Sequence, residues 1–146
     1  MKKILIALIA VLSVVSASAQ FKVQEKQTMP EVVWRSAMGG HNKLYRQKLQ
    51  NGEYYYFIGV ATTNQFDDKM LIHLGKIDKA KATLLQMAND LYREGEIYEL
   101  TDDKVEPFTL QCAAFNQYVL FKKGYAGRAY ITIGQVEKML SALEGL

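Results

Sequence analysis

The sequence predicts an α+β domain: antiparallel strands in two similar ββββα halves, with two helices packed on one sheet face. Three observations carry this. Apolar residues alternate with polar ones in short runs bounded by turn residues, the mark of half-buried strands. Two such runs pass through a glycine into an amphipathic stripe of helical period. The two corners are also in phase. An offset of 59 carries Met70, Ile72, Leu74, Gly75, Ile77, Asp78 and Lys79 onto Ala129, Ile131, Ile133, Gly134, Val136, Glu137 and Lys138.

The elements follow in order. A first strand is expected around Val32 to Trp34, within "EVVWRS". Residues 43–60, "KLYRQKLQNGEYYYFIGV", read as a hairpin about Asn51-Gly52, because a two-residue type I′ turn needs positive φ at both central positions. That turn would set Leu49 opposite Tyr54, Gln47 opposite Tyr56 and Tyr45 opposite Ile58 on an apolar core face. Lys48 would then meet Tyr55, and Arg46 would meet Phe57, on a cation-and-aromatic outer face.

After the turn-rich 62–68, "KMLIHLG" alternates Met70, Ile72 and Leu74 against Lys69, Leu71 and His73. The helix that follows carries its stripe on Ile77, Ala80, Leu84, Met87, Ala88 and Leu91. Asp78 in its first turn suits the helix dipole, and Gly95 offers a C-terminal stop.

The second half opens on "EIYEL", turns at "TDDKVEP", and continues in "FTLQCAAFNQYVLFKK". Phe108, Leu110, Cys112 and Ala114 share one face, and Asn116-Gln117 is the expected turn. "GYAG", 124–127, makes a hairpin loop into "RAYITIG", and Val136, Met139, Leu140 and Leu143 form the last helical stripe. A roughly 60-residue half buries too little apolar surface to stand alone, so both are expected to close on one core. A lipocalin-like barrel is disfavoured by the helix that interrupts the strands midway. A single cystatin-like curved sheet wrapped on a helix is the stronger alternative.

Residues 1–19 read as a secretory signal peptide. Lys2 and Lys3 precede the apolar run "ILIALIAVLSVV", and Ala17 and Ala19 give the A-x-A pattern before a cut at Gln20. The run falls short of the about 20 apolar residues of a spanning helix. With glutamine after a small-residue cleavage site, it resembles the signals of exported bacterial proteins. No cysteine follows the cut, so no lipoprotein acylation point is offered. The expectation is a single domain over 20–146, built as halves at about 31–94 and 96–146, periplasmic or secreted, with no integral membrane segment.

Losing Lys2 and Lys3 leaves 16 Lys and Arg against 15 Asp and Glu, a net charge of +1. A near-neutral chain has no electrostatic footprint for nucleic acid. Cys112 is the one cysteine, which excludes an intrachain disulfide and reads as a small buried apolar residue.

Catalytic constellations are scarce. The two histidines, His41 and His73, and the lone Cys112 make a Cys112–His73 nucleophile pair conceivable, but the strand phases set the two on opposite faces. Ser36 and Ser141 sit in no nucleophile elbow. "GYAG" precedes no helix start and so is no phosphate cradle. Asp67-Asp68 and Asp102-Asp103 read as solvated turns rather than Ca²⁺ ligands, and no metal or cofactor is expected.

What remains is surface. Arg46, Lys48, Tyr55, Phe57 and His73 are the candidate ligand-binding residues, since aromatic faces stack on sugar rings or partner side chains and cations add to them. The bland reading is a set of cross-strand pairs shielding the sheet. The loop "KKGYAGR", with Lys122, Lys123, Tyr125 and Arg128, is a second, weaker candidate beside its reading as a solvated basic turn. The expected function is a small exported, non-enzymatic binding module for a peptide, glycan or protein partner. The alternative is a small exported hydrolase acting on glycan or peptide through an unmarked carboxylate pair. No motif specifies a ligand or an oligomeric state.

Overall fold

In a computed structural model, described over residues 29–37, 41–63, 69–125 and 127–146, the chain forms two four-stranded antiparallel sheets, each followed by a helix. The first half runs β1 (Glu31–Arg35), β2 (Lys43–Lys48), β3 (Tyr54–Ala61), β4 (Lys69–Gly75) and α1 (Ile77–Asn89). The second runs β5 (Ile97–Thr101), β6 (Pro107–Ala113), β7 (Gln117–Lys122), β8 (Ala129–Thr132) and α2 (Ile133–Glu144). In both sheets sequence order is spatial order. The two similar ββββα halves are therefore present, as two sheets and not one curved sheet. The signal segment at 1–19 and the pair Asp67-Asp68 lie outside the described residues.

Alternation decides which side of each strand is buried. Leu44, Tyr56, Ile58, Val60, Met70, Ile72 and Leu74 from the first sheet meet Phe108, Leu110, Cys112, Tyr118, Leu120, Ala129 and Ile131 from the second in one core. Ala80, Leu84 and Met87 of α1 and Val136, Met139 and Leu143 of α2 complete it. The helices pack on each other; α1 lies on β3 and β4, and α2 reaches β8 and β1. Among the described residues no helix is long and apolar enough to cross a membrane.

Four local expectations are corrected. The β2–β3 hairpin closes through three loop residues, not two: Leu49 N–H donates to Glu53 O at 2.7 Å and Gly52 N–H to Leu49 O at 3.0 Å, with Gly52 at φ +87°. Only Gly52, and not Asn51, takes a positive φ, which is the arrangement of a type I turn closed by a left-handed glycine. The extra loop residue moves the register by one, so Tyr45 pairs with Phe57, Arg46 with Tyr56 and Lys48 with Tyr54. With a side-chain period of two, that step exchanges the faces of β2.

Second, α1 stops at Asn89, and Gly95 lies in the turn just ahead of β5 instead, its N–H donating to Cys112 O at 2.8 Å. Third, β8 ends at Thr132, so Ile133 is the first helical residue and not the last strand residue. Thr132 draws it into the helix with a capping box, its hydroxyl accepting from Gln135 N–H while the Gln135 side chain accepts from Thr132 N–H. Fourth, the β6–β7 turn uses Phe115 and Asn116 at positive φ (63° and 54°), leaving Ala114 in the turn and off the core face.

Each sheet has a rim strand that the other half covers. On β4, His73 N–H donates to Asp102 Oδ2 at 3.2 Å and His73 O accepts from Asp103 N–H at 2.8 Å. Leu71 O accepts from Lys122 Nζ at 2.7 Å. On β8, Tyr130 O accepts from Asn42 Nδ2 at 2.9 Å, Arg128 O accepts from Thr63 N–H at 2.8 Å, and Ala129 bridges to Thr62. Unpaired rims invite association with other chains, so the halves cap one another.

Candidate functional site

The register of β2 determines which candidate residues meet. Tyr55, Phe57 and His73 do share the outer face of the first sheet. The Tyr55 and His73 rings lie 5.9 Å apart, and the Phe57 and His73 rings 5.8 Å. Arg46 and Lys48 do not join them, because the three-residue loop turns both to the other side of β2. Arg46 instead pairs with Glu31 at 2.9 Å and lies 4.2 Å above the Tyr54 ring. It lines an open groove of about 360 Å³ with Tyr54, Tyr56 and Lys76.

The place expected for Arg46 is taken by Tyr45. Its ring stacks on Phe57, with centroids 5.1 Å apart and planes 14° from parallel. Tyr45 lies flat because residue 59 is glycine: a Cβ there would come within 2.9 Å of the Tyr45 ring. Lys69 Nζ donates to the Tyr45 hydroxyl at 3.2 Å, and Tyr55 donates its hydroxyl proton to Asp103 Oδ2 at 3.0 Å. The outcome is a four-ring row, Tyr45–Phe57–His73–Tyr55, with its two tyrosines tied at opposite ends to a lysine and an aspartate. Burial, then the bond to Asp103, pushes the Tyr55 phenol well above its ordinary titration, so it stays a donor.

Beside this row sits a cluster that the sequence did not mark. The Lys122 and Asp102 side chains retain only 3% and 0% of their exposure and meet at 3.0 Å. Lys122 Nζ also reaches Glu106 Oε2 at 2.5 Å. Asp102 Oδ1 accepts two further backbone N–H bonds, from Lys104 and Glu106, each at 3.0 Å. Burial alone would raise the Asp102 titration, but the hydrogen bonds from Lys122, Glu106 N–H and His73 N–H outweigh it and hold it below the usual carboxylate range. Burial likewise works against the Lys122 ammonium, and its bonds to Glu106 and Asp102 more than offset that, so its titration rises.

Asp102 is thus a buried anchor and not a solvated turn residue, and Lys122 is no part of a basic loop surface. Lys123 is exposed and Tyr125 half-buried nearby, whereas Ala126 lies outside the described residues. One signal for Lys122 was available: it continues the phase of Tyr118 and Leu120 on the buried face of β7.

His73, Asp102 and Glu106 place ligand atoms within 4.8 Å of one another, and His73 Nδ1 is buried without a hydrogen-bond partner. A divalent ion there would have to displace the Lys122 ammonium, which already neutralises both carboxylates at contact distance. The donor set therefore fits a protein cation better than a metal. Burial, and after it the charge of Lys104, depress the His73 titration and favour the neutral ring. Cys112 is buried on the core face of β6, with Sγ 3.5 Å from Leu91 O, whereas His73 lies on the outer face of β4 in the other sheet.

A third feature lies inside. Between the sheets and α1 is a cavity of about 180 Å³, walled by Ile58, Val60, Ile72, Met87, Leu91, Leu100, Phe108, Leu120 and Ile131, with Thr83, Gln86 and Thr101 also on its lining.

No family model, curated protein or solved structure matches this chain.

Proposed function

We propose that the chain is an exported, non-enzymatic binding module whose ligand lies on the outer face of the first sheet. A single observation carries the reading: the row Tyr45, Phe57, His73 and Tyr55 on β2, β3 and β4, in which half-buried Tyr45, His73 and Tyr55 lie around the buried Phe57 ring and both tyrosine hydroxyls are already bonded. Such a row is held in place before any partner arrives, which lowers the ordering cost of binding. A ligand with a flat apolar face suits it, either a saccharide ring or an aromatic side chain of a peptide. Lys69 at one end and Asp103 at the other add hydrogen-bonding groups of opposite charge.

The carboxylates speak for binding over hydrolysis. A carboxylate hydrolase needs one acid held protonated near neutral pH. Among the described residues, the carboxyl groups whose titration is displaced, Glu53, Asp102 and Asp103, are all shifted toward the ionised form.

The test is a panel of glycans and aromatic peptides, read by calorimetry against the parent chain. Tyr45→Ala and Tyr55→Ala should each weaken a detected complex roughly 2- to 10-fold, the worth of one aromatic contact. Arg46→Ala should leave it unchanged, since Arg46 is on the opposite face. Retention of every complex by both tyrosine variants would refute the outer-face site.

A further inference from the structure

The interior cavity does not serve the outer-face reading, and its composition is uneven in a telling way. Ile58, Val60, Ile72, Leu120 and Ile131, all nearly inaccessible to solvent, line its deep side. Thr83, Gln86 and Thr101 are half-exposed or exposed, so the polar groups gather where the cavity meets solvent. Its walls come from β3, β4 and α1 of one half and from β5, β6, β7 and β8 of the other. Among the described residues no charged side chain lines it.

We propose that this cavity is a binding site for a compact, uncharged amphiphile about one aromatic ring in size, with its apolar body inward and one hydrogen-bonding group at the mouth. The volume sets the size: about 180 Å³ slightly exceeds the about 150 Å³ of an apolar cavity that stays dry and takes up benzene. The aliphatic walls set the apolar body, because water finds too few polar partners there to fill the space. The absence of a lining charge sets the neutrality, since an ionised ligand would lose its hydration without a counter-charge. Thr83, Gln86 and Thr101 supply the donors and acceptors for the single polar group. The site is separate from the aromatic row, which occupies the opposite face of β3 and β4.

Benzyl alcohol is a suitable probe, titrated into methyl-labelled protein with the Met87 methyl resonance as reporter. The expected result is a saturable shift at Met87, with benzoate at least tenfold weaker. Ile131→Phe, which fills the cavity, should weaken benzyl alcohol at least tenfold, and Tyr55→Ala should not change its affinity. Thr83→Leu, at the half-exposed mouth, keeps the test open if the core variant fails to fold, and should also weaken binding. Absence of saturation at Met87, equal affinity for benzoate, or undiminished binding in the folded filled or occluded variant would each overturn the proposal. Loss of outer-face binding in Tyr55→Ala has no bearing on this result, so the two sites stand or fall separately.

Discussion

The two halves share topology and core but lock onto each other by different chemistry. The β5–β6 turn of the second half covers β4 with charge: Asp102, buried, is held by Lys122 and by backbone N–H groups. The β1–β2 connection of the first half covers β8 with an amide. Asn42 donates to Tyr130 O and to Gln135 Oε1 at 3.0 Å, and accepts from Ala61 N–H at 3.2 Å. Both solve the problem of an exposed rim. The ionic one carries a large desolvation cost and fails abruptly when one partner is lost; the neutral one involves smaller opposing terms.

The ionic lock gives the largest expected effect. Asp102→Ala leaves the buried Lys122 ammonium with only half-exposed Glu106 and Leu71 O, takes the acceptor from the His73, Lys104 and Glu106 N–H groups, and should cost about 3–5 kcal/mol, read from urea unfolding. Adding Lys122→Met to it should restore part of that loss, because the buried, under-compensated charge goes with it.

Titration tests the same contrast. Asp102 has a folded-state pKa below its unfolded value, so its contribution is complete above the unfolded value of about 3.9 and disappears as pH falls through the folded value. His73 is also shifted down, so its contribution is complete above about 6.5 and declines below that. Lys122 is shifted up, and its contribution is complete below about 10.4 and disappears as pH rises through the folded value. Stability should therefore hold a plateau from about pH 7 to 10 and fall on both sides. Asn42→Ala should lower that plateau by about 1–3 kcal/mol, through unsatisfied partners, without changing its shape. A changed shape would mean that the two locks are coupled.

The strand-to-helix corners sharpen the comparison further. Gly75 sits at φ +92°, where a Cβ would come within 2.9 Å of the Asp103 carboxylate, so Gly75→Ala should cost at least about 1–2 kcal/mol. Gly134 lies in the first turn of α2 with its nearest neighbour at 3.9 Å, so Gly134→Ala should stabilise by about 0.5–1 kcal/mol. Melting temperatures of the two variants should move in opposite directions. Movement in the same direction would show that the corners are alike after all.

These glycines also show how far the sequence could be read. The offset that aligned them held for the inward aliphatic residues, Met70, Ile72, Leu74, Ala129 and Ile131, because burial imposes the same period-two pattern on any half-buried strand. It did not hold for the corners, where one helix begins after a left-handed glycine and the other at a threonine cap. Local capping chemistry is decided by a few atoms, and Gly75 is further explained by Asp103, a residue of the other half. The candidate face was legible in part. Tyr55, Phe57 and His73 followed from alternation, whereas Arg46 and Lys48 were misplaced by a single loop residue, and Tyr45 was missed for the same reason. Asp102 carries no local signal at all: its turn looks solvated until the β4 rim is set against it.

Mutual covering of the rims bears on how the chain comes together in time. While synthesis is under way, β4 is complete before the turn at Asp102 and the amine of Lys122 exist, so the first half must spend an interval with an open, adhesive border. Its proper closure depends on residues that have yet to be made. Such a molecule acquires order late and all at once, and an orphaned half would find the border of a sister chain as acceptable as its own.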